Sequence, residues 1–578
     1  MPWSWRLHTR EFWPARDLKK YPVLFLNRAH TFPAFTPLFM WTWCFSETRG
    51  VWYGANETWT PTTRGHMMLD IEGCSLEGGL KIDDDDEIEE RQKRHRQFVE
   101  KEFAPNWDKT WANVKEELEN HYGKLRDFDY DKATVWELYK QFKYALGVVE
   151  RMWELHFYIL YGVYGAYWEF NDLIKEYAGL KENDPLLHKL TSGYDNQLFV
   201  MDRVIWDLHN RALELGIDDM FRKTPASGVI PALKETARGR EWLERDLYDF
   251  LIVKGYGWRQ PRMMEFINPA WWEDPTPVIM FVQKYLMLPG GAEAAFPLET
   301  IRPRLVEERK AAEKEILRRV RATGCADMDW FSTVMKLAQM TSFVSESHDW
   351  ICECQCFSSF RHCILKIGER LLKYGTISRP DDLFFFVPDE LEVLICLPEN
   401  YQVGDIAEER RQVWQAQKEY RSRPNFISRE PMKPEETAKY VIEARDPIVS
   451  LVSIGTLVMP RPETGAILFG NCGNTGEAEG TARVLVSEGD VEKVLPGDIL
   501  VCPATYASWS TIFPLIKGVV ADGAGIAHHT CILGREYDIP VITNTGTATE
   551  MLNDGDHIRV KADEGLVFRP GQKVARGN

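Results

Sequence analysis

From Ala133 to Phe170 apolar residues recur at i, i+3, i+4 and i+7 in ATVWELYKQFKYALGVVERMWELHFYILYGVYGAYWEF, the spacing of one buried face of a long helix. The period returns in DWICECQCFSSFRHCILKIGERLLKYG, residues 349–375, and predicts a second long helix with Gly375 as its cap. Beyond Gly465 the pattern changes. ARVLVSE, GDILVCPA, KGVVADG and IPVITNTG are short β-rich runs separated by Gly, Asp, Asn and Pro. Between the two regimes lies GDIAEERRQVWQAQKEYRSRPNFISREPMKPEETAKY, a charged, proline-interrupted stretch that reads as a partly helical connector. The pattern predicts a multidomain α and α/β chain: a large, mostly helical domain over 1–400, a connector over 401–465 and a small β/β/α domain over 466–578.

A length of 578 residues agrees with two or three domains. The composition, 44% hydrophobic and 27% charged, is that of a folded soluble protein, and 21 tryptophans make it rich in flat apolar surface. A net charge of -17 repels phosphate backbones and anionic headgroups, so neither nucleic acid nor a membrane surface is an expected partner. The longest uncharged helical stretch, Leu155 to Trp168, has 14 residues, short of the ~20 a membrane span needs. The N-terminus has no secretory pattern, and a cytoplasmic protein is expected.

Eleven cysteines, odd in number and irregularly spaced, read as reduced thiols. Cys352, Cys354, Cys356 and Cys363 alternate, but residues two apart on a helix point to different faces. Buried thiols are expected there rather than zinc ligands, and no metal site is assigned. The run KIDDDDEIEERQKRHRQ reads as a solvated loop and helix start.

Candidate chemistry sits in GVVADGAGIAHHTCILGREYDIPVI, where a strand leads through a glycine turn into a helix beginning at or just after His528 and His529. A helix start presents unpaired N–H groups and the positive end of the dipole to an anion. A neutral imidazole there is a nucleophile, and attack on phosphorus would place the phosphoryl oxygens over those amides. A capping or packed histidine is the plain alternative. The surrounding pattern decides between them.

GDILVCPATYASW, AGIAHHTCILGREYDIP and TGTATEMLNDGDHIRV together resemble the mobile phosphohistidine domain of the PEP-utilising enzymes, over roughly Leu468 to Pro570. The register of Arg535, Glu536, Ile539 and Pro540 puts the family's phosphorylated histidine on His529. His528 then takes the place of a Ser or Thr, and Ala524 that of a glycine; Cys531 replaces an alanine and Asp538 a glycine. The resemblance implies a small swivelling domain with Thr505 as a phosphate-side hydroxyl. It places Arg535 near the histidine, as an ion-pair residue with Glu536 or Asp538 rather than a direct ligand.

HTFPAFTPLF (residues 30–39) and FRHCILKIGERLLKYGTISRPDDLFFFVPDEL (residues 360–391) look like the helical acceptor-binding domain of the rifampin phosphotransferase type. The chain contains no GxxxxGK[ST] loop and no other recognisable nucleotide fold. The order acceptor domain, connector, phosphohistidine domain is similar to the histidine-bearing subunit of phenylphosphate synthase. That resemblance implies a separate ATP-grasp subunit holding ATP and Mg²⁺, no cofactor bound by this chain alone, and a phenolic acceptor. An alkylphenol, an ansamycin or an alcohol is the rival acceptor. A non-catalytic phosphocarrier or regulatory protein is the rival class. Trp41 and Trp43 are candidates to line the acceptor pocket, His348 or Asp349 to act as base, Arg361 to hold phosphoryl oxygens, and Glu353 to lie on the same helix.

Overall fold

A computed structural model describes residues 23–27, 30–31, 33–180, 184–260, 265–291, 294–420, 426–428, 436, 446–453 and 465–570. Residues 1–22, where no secretory signal is expected, and much of the expected connector between 421 and 464 lie outside the described residues. The helices used below are α1 (Thr48–Glu57), α2 (Val135–Ala178), α3 (Gln197–Glu214), α4 (Thr276–Tyr285), α5 (Thr341–His348), α6 (Gln355–Lys373) and α7 (His529–Glu536). By internal contacts the chain forms two units, one made of Met1–Gly165, Met264–Asn268 and Ile351–Ile448, the other of Ala166–Met263, Pro269–Trp350 and Val449–Asn578. The architecture is multidomain α and α/β, as the two periodicities predict.

Both long helical patterns are realised. α2 spans 44 residues. α6 ends at Lys373 and is closed by Gly375, whose φ of +73° suits a residue without a Cβ and whose N–H donates to the Leu372 carbonyl at 3.0 Å. α1 packs closely on α2 because Gly50 and Gly54, one turn apart, leave room for the backbone of Trp153 and Phe157. The acidic run starts a helix, Asp85–Phe98, capped by Asp84.

The helical pattern did not foretell a small antiparallel sheet. Strands β1 (Val23–Leu26), β2 (Thr63–Ile71), β3 (Cys74–Lys81) and β4 (Phe426–Ser428) lie in the order β2-β3-β1-β4. Its hairpin turns on Glu72 and Gly73, with φ of +52° and +77°, a two-residue loop of the kind that matches strand twist. That Glu-Gly step between apolar runs was the available signal.

The second unit carries an eight-stranded sheet. Its strands are β5 (Leu468–Phe469), β6 (Asn471–Asn474), β7 (Glu477–Val484), β8 (Ile499–Cys502), β9 (Gly518–Ala521), β10 (Val541–Thr543), β11 (His557–Lys561) and β12 (Leu566–Phe568), in the order β5-β12-β11-β7-β8-β9-β10-β6. β7, β8, β9 and β10 run parallel. β8 and β9 are buried at every position, which is why ILVC and GVVA read as unbroken apolar runs. The core gathers Ile499, Val501, Val520, Ile542, Ile558 and Val560. Among the described residues no helix is long and apolar enough to cross a membrane.

Candidate functional site

β9 leads into the turn that positions the histidines. The Gly523 N–H donates to the Pro503 carbonyl at 2.8 Å, and the buried Asp522 carboxylate accepts from the Thr549 N–H at 3.1 Å. Ala524, standing where the family has glycine, holds a φ of +97° and has its carbonyl bound by Asn544 Nδ2 at 2.9 Å. Gly525 is dictated by space: a Cβ there would stand 2.2 Å from the Leu451 carbonyl oxygen. The segment Val449–Ser453 secures the turn, its Val452 and Leu451 carbonyls each accepting at 2.8 Å from the N–H groups of Gly525 and Ala527.

His528 is the N-cap of α7. Its backbone is extended, and its Nδ1 accepts from the Thr530 N–H at 3.2 Å. A Ser or Thr oxygen would cap in the same manner, which accounts for an imidazole in the hydroxyl position. The Thr530 hydroxyl lies 3.1 Å from His528 Nδ1 and 3.0 Å from the Thr505 hydroxyl, and it accepts from the Thr505 N–H at 3.0 Å. Thr505 thus reaches the histidine pair through Thr530. The helix start is less open than a bare N-terminus, since the amides of Cys531 and Ile532 already donate to the His528 carbonyl.

His529 is the first helical residue and is 5% exposed. Its Nδ1 lies 2.9 and 2.8 Å from the two carboxylate oxygens of Glu346, which is 1% exposed. One residue before it, the Ser345 hydroxyl donates to the Ala527 carbonyl at 3.0 Å, holding the end of α5 to the turn. The carboxylate at Nδ1 fixes the tautomer and the orientation of the ring.

Glu346 was missed by sequence reasoning. It lies 183 positions from His529, and no local spacing announces it.

Arg535 is also close to the histidines, though the expected ion pairs with Glu536 or Asp538 do not form. Its Nη1 donates to the Ile526 carbonyl at 3.0 Å, bracing the turn, while Glu536 accepts from the N–H groups of Gly193 and Tyr194 and Asp538 pairs with Arg304 at 2.6 Å. A guanidinium near buried carbonyls satisfies several acceptors at once, and the carboxylates face other elements.

The remaining candidates fall in both units. His348 Nδ1 lies 2.7 Å from the Val344 carbonyl of its own helix, and Asp349 pairs with Arg259 at 3.1 Å, both groups buried. These two belong to the unit that holds His529. In the other unit, Arg361 donates Nη1 to the carbonyls of Phe266 and Ile267 at 2.8 and 2.9 Å, Glu353 meets His156 Nε2 at 2.9 Å, and Trp41 and Trp43 are buried. The acceptor roles suggested for these residues rest on the sequence. Cys352, Cys354, Cys356 and Cys363 are all buried, and burial pushes the Cys363 thiol up to about 12.

Residues 494–565 match the family described as PEP-utilising enzyme, mobile domain. This stretch is a PEP-utilising mobile domain. Residues 154–345 match a second family, the rifampicin phosphotransferase fourth domain. Among curated proteins, the chain is 26% identical to the uncharacterized phosphotransferase YvkC of Bacillus subtilis, over 72% of this chain and 47% of that one. It is 24% identical to a rifampicin phosphotransferase of Streptomyces sviceus, over 70% and 43%, and 27% identical to chondramide synthase cmdD of Chondromyces crocatus, over 80% and 12%. The chain spans less than half the length of each of these relatives.

Proposed function

We propose that this chain is a cytoplasmic phosphotransferase subunit in which His529 carries a phosphoryl group, taken as the β-phosphate of ATP from a separate ATP-grasp subunit, and passes it to a phenolic hydroxyl. The partner subunit binds ATP and Mg²⁺. The observation that carries the reading is the pairing of Glu346 with His529, the histidine that lies inside the mobile-domain match: a carboxylate fixes Nδ1, which orients Nε2 toward phosphorus and offsets positive charge on the ring as the P–N bond forms. His528, Thr505 and Arg535 shape the helix start beneath that nitrogen.

The helical residues 1–400 are the acceptor-binding part and residues 466–578 the swivelling carrier, joined through 401–465. A carrier that visits a nucleotide site and an acceptor site must move between them. Trp41, Trp43, His348, Asp349, Glu353 and Arg361 are the acceptor-side candidates. The rifampicin phosphotransferase relatives favour one rival acceptor, a larger hydroxylated compound of the ansamycin type. A net charge of -17 argues against nucleic acid and anionic membranes as partners.

The test is to mix the full chain with ATP-grasp subunits, ATP labelled at the β-phosphorus, and a panel of phenols, alkylphenols, ansamycins and alcohols. Label on His529 followed by label on a phenol is the expected result. Label that stays on the protein in the presence of every acceptor would leave a phosphocarrier and remove the transferase reading.

A further inference from the structure

The second unit keeps a cavity of about 300 Å³ that its side chains leave unfilled. Trp206 of α3, Pro289 and Ile301 line it from the stretch that matches the rifampicin phosphotransferase fourth domain, and Phe513, Tyr537 and Ile539 line it from the mobile-domain match. Polar contacts hold the two stretches together: Lys284 Nζ of α4 donates to the Val494 carbonyl at 2.9 Å, and the Glu536 carboxylate accepts from the Gly193 N–H at 2.9 Å. Tyr537 closes α7 as its C-cap, so the cavity touches the far end of the helix that His529 opens. The eight residues of α7 put about 12 Å between its ends, and His529 does not line the cavity. This space is therefore apart from the transferring histidine.

A packed interior seldom leaves a void larger than one water, whose share of the liquid is about 30 Å³. Here the lining stays short. Pro297 and Pro514 carry ring-locked side chains, and Ala294 and Ala295 end at Cβ, so none of the four reaches across. Ala295 and Thr300 are exposed and mark the opening to solvent. Among the described residues no Asp, Glu, Lys, Arg or His lines the cavity, and the Thr300 hydroxyl already donates to the Pro297 carbonyl at 2.7 Å. Water inside finds few partners, and an apolar guest that displaces it gives up few hydrogen bonds. Trp206, Phe513 and Tyr537 supply ring surface, which favours a flat aromatic guest, while a charged guest would lose its hydration without gaining a counter-charge. The volume stands at the lower end of the range for small-molecule sites.

We infer that this cavity is a regulatory site for a small uncharged aromatic molecule, which holds the mobile domain against the fourth-domain stretch. Both stretches supply its walls, so the guest binds only while they are together, and it favours that arrangement by the factor 1 + [L]/Kd. At ten times Kd the factor is about eleven. The same arrangement keeps His529 buried against Glu346, so the guest slows loading of the histidine by the ATP-binding subunit. The inference rests on the carrier reading for this effect on loading, not for the binding.

The test begins without any phosphoryl group. Equilibrium dialysis of the full chain against indole, indole-3-acetate and tryptamine should show binding of indole and at least about ten-fold weaker binding of the anion and the cation, equivalent to about 1.4 kcal/mol. Ala295→Trp, which fills the cavity from its exposed side, should abolish indole binding, and Trp206→Leu, which removes one ring, should weaken it. Hydrogen exchange of the peptide holding Gly193 and Tyr194, whose amides donate to Glu536, should slow by up to about eleven-fold with indole at ten times Kd. No binding of indole, equal binding of the three probes, or indole binding unchanged in both variants at unchanged circular dichroism would each overturn the site. Exchange indifferent to saturating indole would overturn its holding role. Labelling of His529 should slow with indole by up to the same factor, and an unchanged rate would overturn the regulatory role. Failure of His529 to take up label without indole would remove the carrier reading and leave the binding and exchange results intact.

Discussion

The carboxylate of Glu346 and the Nδ1 of His529 meet at 2.8 Å, both side chains almost wholly buried, across 183 residues of chain. Glu346 lies in α5 and His529 opens α7, so the orientation of the ring is set by a helix outside the mobile-domain match.

A positioning carboxylate makes a specific demand on kinetics. A hydrogen bond to a charged group is worth about 1.5–3 kcal/mol, so Glu346→Ala should slow labelling of His529 by about ten- to a hundred-fold. Glu346→Gln, which keeps a hydrogen bond without the charge, should fall between. Rapid-quench measurement of phosphoprotein formation checks this, and an unchanged rate in Glu346→Ala would remove the positioning role.

The two histidines should not be interchangeable. His529→Ala should abolish labelling, seen by intact-protein mass spectrometry. His528→Ala loses the helix cap and should cost about 1 kcal/mol of stability while retaining labelling at a reduced rate, whereas His528→Ser should restore most of that stability. Label on His529→Ala would overturn the register.

Ala524 bears a backbone conformation that disfavours a Cβ, with φ at +97°. Ala524→Gly should therefore raise stability, by up to about 1–2 kcal/mol, in denaturant unfolding. A less stable variant would mean that the glycine's gain in unfolded-state entropy exceeds the relief of strain.

Two buried acids in the second unit give stability a pH dependence. Burial pushes Asp202 and Glu536 each up to about 7, against about 3.9 and 4.3 when unfolded. Between those limits the folded chain binds more protons, so their contribution is full below about pH 4 and is lost as pH rises through about 7. Unfolding by urea from pH 4 to 8 should show that decline, and Asp202→Asn should flatten part of it, by at most about 4 kcal/mol.

Much of this was legible in the residues themselves. The 3.6-residue period marked α2 and α6, the cap at Gly375 followed from glycine, and the unbroken apolar runs marked β8 and β9. His529 was separated from His528 by the register running to Pro540. The β2–β3 hairpin was missed because its flanks do not alternate cleanly and its turn rests on Glu72 rather than Asn or Asp. The roles of Arg535 with Glu536 and Asp538 were misread, since Glu536, next to Arg535 on the helix, turns to the amides of Gly193 and Tyr194, and Asp538 lies past the end of α7 and pairs with Arg304.

Local order determined which residues are helical, which are strands, and which imidazole opens α7, because periodicity, capping and steric limits act over a few residues. Tertiary structure decided that Glu346 holds that imidazole and that Trp206, Phe513 and Tyr537 line one cavity. Those relationships join positions tens to hundreds apart. Charge, burial and hydrogen bonding act through distance in space, and the path of the folded chain alone sets that distance.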